Sequence, residues 1–90
     1  MKAYRDIEKE DGLYRVFESD VPDIELTWHR DKKNRKVYVV SGFDWKFQYD
    51  NELPFSLKEG DMIAIDKMRY HRIIRGSTGL ILRIEEDENE

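Results

Sequence analysis

The stretch Phe43-Asp44-Trp45-Lys46-Phe47-Gln48-Tyr49-Asp50 has the clearest alternation of apolar and polar side chains in the chain. Aromatic residues occupy every second position, and charged or amide side chains lie between them. Successive side chains of a β-strand point to opposite faces, so this period of two predicts a strand with one buried face. The aromatic stripe is therefore predicted to belong to the core of a β-sheet protein.

Short apolar runs on both sides of this stretch extend the same interpretation. Strands are predicted over residues 13–17, 24–29, 36–40, 62–65, 70–74 and 80–84. Gly60 is expected to form a tight turn with positive φ, and the charged opening stretch through Gly12 fits either an edge strand or a loose arm. No segment has a sustained helical period. The pattern predicts an all-β fold, an antiparallel sandwich or barrel.

The composition limits the classes of protein to consider. Ninety residues are enough for one domain. The chain has no cysteine, which excludes a disulfide framework and a thiolate metal site. No apolar stretch reaches the length of a membrane span or a signal peptide. We expect a soluble, cytoplasmic protein that has no membrane partner.

The net charge of −4 is concentrated at the C-terminus. Residues 85–90 contain five acids, and the rest of the chain has 16 basic and 15 acidic residues. We expect one domain over residues 1–84 and a disordered acidic tail over 85–90, although a partner-binding tail stays open. An oligonucleotide-binding barrel with stacking aromatics is disfavoured, because nucleic-acid domains usually have a strong positive excess.

Two histidines, His29 and His71, are separated by about forty residues, and Asp31 lies one residue beyond the first of them. Two imidazoles and one carboxylate can together form one face of an iron-type metal site. The function of this triad depends on whether the fold brings the three side chains together.

The spacing of these residues resembles that of the cupin family, over roughly residues 24–84. The first cupin motif places two histidines, a glutamate and a glycine at set spacings, and the matching positions within residues 29–42 are His29, Asp31, Arg35 and Gly42. The second motif, within residues 60–75, begins with a glycine and ends with a histidine.

In this chain Gly60 and His71 match the second motif, but Asp66-Lys67-Met68 replaces its usual Pro-x-Gly turn. The resemblance implies a small jelly-roll β-barrel of the RmlC-like type with a degenerate metal motif. It also implies a homodimer, because small cupins often pair through their sheets.

Arg35 is the main departure from the family pattern, since a guanidinium stays protonated and cannot coordinate a metal. We expect it to pair with Asp31 instead. The favoured hypothesis is a metal-free interior pocket that binds a small polar or anionic ligand and is lined by His29, Asp31, Arg35, His71 and Trp45.

Three alternatives stay open. One is a metal-dependent enzyme that holds Fe, Mn, Ni or Zn through His29, Asp31 and His71. Another is a purely structural polar cluster. The last is a non-catalytic interaction module that works through a sheet face and the acidic tail. The sequence assigns no catalytic residue and no particular ligand.

Overall fold

The computed structural model describes residues 3–23 and 26–87 and contains eight β-strands. In chain order they are β1 (Arg5–Lys9), β2 (Gly12–Phe17), β3 (Arg35–Ser41), β4 (Lys46–Tyr49), β5 (Phe55–Ser56), β6 (Met62–Ile65), β7 (His71–Ile74) and β8 (Leu80–Glu86). All strand pairs are antiparallel. The predicted all-β, antiparallel class is confirmed.

The strands form two sheets that face each other. The larger has five strands in the order β1-β2-β8-β3-β6, and the smaller has three in the order β5-β4-β7. Strand β8 lies between β2 and β3, so strands that are far apart in the sequence pair with each other in the larger sheet. This non-sequential order is the arrangement expected for a jelly roll.

The inward face of the larger sheet follows from the alternation of its strands. In β3, Val37 and Val39 are buried and pair across the sheet with Ile84 and Leu82 of β8. Since side chains alternate along a strand, Arg35 lies on the same inward face as the two valines. The first residue of β3 thus carries a charge at the edge of the core.

The aromatic stripe is confirmed at three of its four positions. Trp45, Phe47 and Tyr49 are buried, whereas Phe43 is 64% exposed, so its predicted place in the core is wrong. The strand begins only at Lys46, and Asp44 has a φ of 66°. That left-handed residue interrupts the alternation and turns Phe43 outward.

The predicted strand over residues 24–29 is not formed where the structure describes it. Residues 24 and 25 lie outside the described residues, and the backbone of Leu26 donates to the carbonyl of Asp23 in a turn. Of the described residues 26–29, only His29 makes a bridge, with His71. Leu26 is buried while Trp28 is 41% exposed, so these two side chains do not share a buried face.

Both ends of the chain take part in the larger sheet. Residues 5–9 form its edge strand β1, which is one of the two structures expected for the opening stretch. Strand β8 continues to Glu86, two residues past the predicted domain boundary, since Glu85 and Glu86 pair with Lys36 and Arg35 of β3. A disordered tail from residue 85 is therefore wrong for these two residues, and residues 88–90 lie outside the described residues.

Within the two described ranges, no helix has the length and hydropathy needed to cross a membrane.

Candidate functional site

A cavity of about 300 Å³ lies between the two sheets. Most of its wall is apolar, with Phe47 and Ile73 from the smaller sheet facing Val37 and Leu82 from the larger one. Its charged and imidazole-bearing lining residues are Arg15, His29, Asp31, Arg35 and His71. A mostly apolar cavity with a few convergent polar groups is the usual form of a small-molecule site.

The two histidines meet through their backbones. The amide of His29 donates to the carbonyl of His71 at 3.0 Å, and the amide of His71 donates to the carbonyl of His29 at 2.9 Å. This bridge brings the two ring centroids to 4.4 Å. His71 is 3% exposed and stacks on Phe47 at 5.6 Å, whereas His29 lies at the exposed side of the cavity.

The tautomer of each imidazole follows from its hydrogen bond to the backbone. Nδ1 of His29 lies 3.1 Å from the carbonyl oxygen of Thr27, and Nδ1 of His71 lies 2.8 Å from that of Arg69. A carbonyl oxygen only accepts, so Nδ1 is the donor in both rings. When the rings are neutral, each Nε2 therefore carries a lone pair and can act as a ligand.

Asp31 has one paired oxygen and one oxygen without a hydrogen bond. Its Oδ1 lies 3.4 Å from Nη1 of Arg35, which confirms the predicted pair. Its Oδ2 lies 3.3 Å from Nε2 of His71, but it is buried and makes no hydrogen bond to a described residue. Nε2 of His71 can donate a hydrogen bond to this oxygen only when the ring carries both protons. The two facing atoms both carry lone pairs unless a proton or a cation lies between them.

The guanidinium of Arg35 is shared between two carboxylates. Its Nη2 and Nε lie 2.7 Å and 2.9 Å from Oε2 of Glu86, at the end of β8. Arg35 therefore faces Asp31 through Nη1 only, and Glu86 offsets its charge. Sequence reasoning missed Glu86 because the acidic run was interpreted as a tail.

The three candidate metal ligands converge as the spacing predicts. Each of His29, Asp31 and His71 offers one ligand atom, and these atoms all lie within 4.8 Å of one another. Imidazole nitrogens and a carboxylate oxygen are suited to Fe, Mn, Ni or Zn. The buried oxygen without a hydrogen bond is a second reason to place a cation here, because such groups normally have a partner.

Trp45 does not lie where the sequence placed it. It is fully buried, its Nε1 donates to the carbonyl of Thr78 at 2.7 Å, and it lies outside the lining of the cavity. Phe17 packs between it and the cavity, at a centroid distance of 5.7 Å from the indole. Trp45 supports the wall of the cavity from behind and cannot contact a ligand there.

Sequence reasoning missed Arg15, a charged residue in the lining of the cavity. It lies in β2 two residues before the buried Phe17, and both residues line the cavity. The alternation of that strand could have identified it, because a residue two positions from a core side chain shares its face.

The fold is shared with solved structures, whereas no family model and no curated protein matches the sequence. A cupin-2 domain-containing protein from Shewanella frigidimarina matches with a TM-score of 0.61 at 18% identity, over 93% of this chain and 79% of that one. A cupin protein from Bacteroides fragilis matches with a TM-score of 0.61 at 18% identity, over 100% and 89%. This chain has a small cupin fold.

A protein from Neisseria meningitidis has a similar structure, with a TM-score of 0.63 at 19% identity over 92% of this chain and 81% of that one. Likeness at this level of identity establishes the fold alone, so the chemistry of this chain must be argued from its own residues.

The turn Asp66-Lys67-Met68 lacks the proline and glycine of the cupin motif, but Met68 adopts the positive φ that a glycine would favour. Met68 has a φ of 63°, and its amide donates to the carbonyl of Asp31 at 2.7 Å. The turn therefore anchors the backbone of Asp31, a candidate metal ligand. A residue with a side chain, such as Met68, is strained by about 1–2 kcal/mol at this positive φ.

Replacing Met68 by glycine is expected to raise the free energy of unfolding by about 0.5–1 kcal/mol, since relief of strain outweighs the extra entropy of the unfolded chain. Met62, in β6, is exposed to 49% against 48% for Met68 and provides the matched control. Met62→Gly is expected to destabilise by about 1 kcal/mol. Urea titration of both variants tests the comparison, and equal losses would show that the turn is not strained.

Burial raises the pKa of Asp31, but the neighbouring His71 and the charge of Arg35 outweigh burial and hold the pKa below its ordinary value. A carboxyl group of this kind stabilises the fold above its unfolded pKa of about 3.9. The contribution is lost as pH falls through the lower folded pKa.

We therefore expect the stability of the metal-free wild type to decrease more steeply from about pH 5 to pH 2 than that of Asp31→Asn. Denaturant titration at several pH values in the presence of a chelator measures both slopes. Asp20→Asn, at an exposed turn, is the control and should keep the wild-type slope. Parallel profiles for Asp31→Asn and the wild type would contradict the assignment.

Proposed function

We propose that this cupin domain binds a divalent metal through His29, Asp31 and His71 and admits a small molecule to it through the cavity. The observation that carries the proposal is that His29, Asp31 and His71 each bring one possible ligand atom to within 4.8 Å of the others. In addition, Nδ1 of each histidine lies against a backbone carbonyl, which leaves Nε2 as the nitrogen that can bind a metal. Such outer hydrogen bonds orient metal-binding histidines and make them better ligands.

The contacts of Arg35 reduce the electrostatic repulsion that its guanidinium would exert on a bound metal. A free guanidinium a few ångströms from a dication would be repelled by several kcal/mol at an effective dielectric near 20. Here Glu86 pairs with two of its nitrogens, and the oxygen of Asp31 that faces Arg35 is not the oxygen that faces His71. The carboxylate can therefore contact Arg35 on one side and a metal on the other.

A metal bound by these residues would supply Lewis-acid chemistry, or one-electron chemistry if it is iron or manganese. The chain's own residues would do the rest. His71 would be held rigidly by Phe47 and the bridge to His29, and the apolar wall would exclude bulk water from a bound molecule.

The second candidate function is a metal-free pocket for a small polar ligand. It is supported by the cavity itself, whose lining combines imidazoles and arginines with an apolar wall. In that case Asp31 Oδ2 and the two Nε2 atoms would accept hydrogen bonds from hydroxyl or amino groups of the ligand.

Calorimetric titration of the tag-free, chelator-stripped protein with Zn²⁺, Mn²⁺ and anaerobic Fe²⁺ separates the two candidates. We expect one site per chain and a loss of affinity of roughly a hundredfold or more in His71→Gln, His29→Gln and Asp31→Asn, because each removes one of three ligands. Asp20→Asn is the matched carboxylate control. If the wild type binds each metal no more tightly than Asp31→Asn does, the metal proposal fails and the metal-free pocket remains.

A further inference from the structure

The charge around the cavity changes sign when a divalent cation is added. Among the residues that the structure describes, two arginines line the cavity, Arg15 and Arg35, and their carboxylate partners are Asp6, Asp31 and Glu86. With both imidazoles neutral, these five groups have a net charge of −1, and a dication would bring the total to +1. The metal-free cavity should therefore disfavour an anion and the loaded cavity should attract one.

Arg15 is built into the cavity wall on the side of β2. Its Nε and Nη2 donate to the two carboxylate oxygens of Asp6 at 2.9 Å and 3.1 Å, and its guanidinium lies over the ring of Tyr4 at 3.9 Å. These contacts hold the group by one edge. Nη1 makes no hydrogen bond to any part of the chain that the structure describes, so Arg15 retains donors for a ligand.

The remaining wall sets the size and polarity of the rest of the ligand. A volume of about 300 Å³ corresponds to roughly ten water molecules, at about 30 Å³ for each water in the liquid. The rest of the lining includes the apolar side chains Phe17, Phe47, Leu57 and Leu82. The space fits a compact apolar body of about the size of a six-membered ring.

We propose that the cavity accepts a small carboxylate with a compact apolar body, and that it does so only when the site formed by His29, Asp31 and His71 holds a divalent metal, with Arg15 contributing to recognition of the acid group. This inference rests on the proposed metal site. It makes binding of metal and acid mutually dependent, since each ligand must raise the affinity for the other by the same factor.

The test compares benzoate with benzamide, which has the same size and no charge, on Zn²⁺-loaded and chelator-stripped protein. Binding is followed by ligand-observed NMR and calorimetry. On loaded protein we expect benzoate to bind at least tenfold more tightly than benzamide. On stripped protein this preference should disappear or reverse, and benzoate should raise the affinity for Zn²⁺ by the factor by which Zn²⁺ raises that for benzoate.

Arg15→Gln tests the role of the arginine. It is expected to weaken benzoate binding by a factor of about three to ten, because one charge is lost at the cavity wall, and to leave benzamide binding unchanged. The matched control is Arg5→Gln in β1, whose side chain is 67% exposed and pairs with Glu18 at 3.8 Å. That variant should bind benzoate as the wild type does.

Each outcome separates the two proposals. Failure of the wild type to bind any of Zn²⁺, Mn²⁺ and Fe²⁺ overturns the metal site and this inference with it. Zn²⁺ binding without any preference for benzoate over benzamide, or without uptake of either probe, overturns the ligand class and leaves the metal site standing. Equal losses of benzoate affinity in Arg15→Gln and Arg5→Gln overturn the assignment of Arg15.

Discussion

Arg35→Glu is expected to tighten metal binding and to weaken the metal-free fold. The substitution would place a carboxylate at the position where the cupin motif has a glutamate, beside Asp31 and opposite Glu86. Without metal, three carboxylates would then face one another in a partly buried site, and we expect a loss of about 2–3 kcal/mol in the free energy of unfolding. With metal bound, the substitution exchanges a guanidinium that repels the metal for a carboxylate that can act as a fourth ligand. The affinity for metal should therefore rise by roughly ten- to a hundredfold.

Calorimetry measures the affinity, and denaturant titration with and without Zn²⁺ measures the stability. Because a ligand that binds only the folded state stabilises it, Zn²⁺ should stabilise Arg35→Glu more than the wild type.

Arg35→Met separates the effect of charge from that of ligation, since it removes the guanidinium without adding a carboxylate and should give only part of the gain in metal affinity. Adding Glu86→Lys to Arg35→Glu should restore an ion pair across β3 and β8 and recover stability. If all of these variants bind Zn²⁺ as the wild type does, Arg35 is not adjacent to the metal and the proposed site is misplaced.

The strands that could be predicted from sequence are those whose alternation is enforced by burial. Val37 and Val39 of β3 and Phe47 and Tyr49 of β4 face the core, and the predicted strands match the observed ones within a few residues. The prediction was wrong at Phe43, where it relied on the pattern alone. One residue with positive φ, Asp44, changes which face the preceding side chain occupies, and no hydropathy pattern reports such a residue.

The candidate site could be predicted from spacing, but its electrostatics could not. The spacing of His29, Asp31 and His71 predicted their convergence, and the structure brings them together through a backbone bridge that depends on pairing between distant segments. Glu86 changes the interpretation of Arg35, yet it is fifty-one positions away along the chain. Contacts of this kind are set by the order of strands in the sheet, which a single sequence does not report.

Trp45→Ala is expected to cause the largest loss of stability among the substitutions considered. The indole is fully buried, packs against Phe17, and donates its Nε1 hydrogen to the carbonyl of Thr78 at 2.7 Å. Removing a large aromatic side chain from a core typically costs about 3–5 kcal/mol. Leaving the carbonyl of Thr78 without its donor adds roughly 1 kcal/mol or more. A domain of this size has about 5–15 kcal/mol in total, so the variant should be close to unfolding.

Trp45→Phe keeps the measurement possible if the alanine variant does not fold. It retains an aromatic ring but loses the donor and part of the volume, and a loss of about 1–3 kcal/mol in the free energy of unfolding is expected.

The matched control is Trp28→Ala, because Trp28 is 41% exposed. Among the residues the structure describes, its one ring contact is the guanidinium of Arg72, at 4.7 Å from the ring centroid. An exposed pair of this type contributes about 0.5–1 kcal/mol. Urea unfolding followed by circular dichroism compares the three variants, since tryptophan fluorescence changes with each substitution. Similar losses in Trp45→Ala and Trp28→Ala would contradict the packing order in which Trp45 supports Phe17 and, through it, the wall of the cavity.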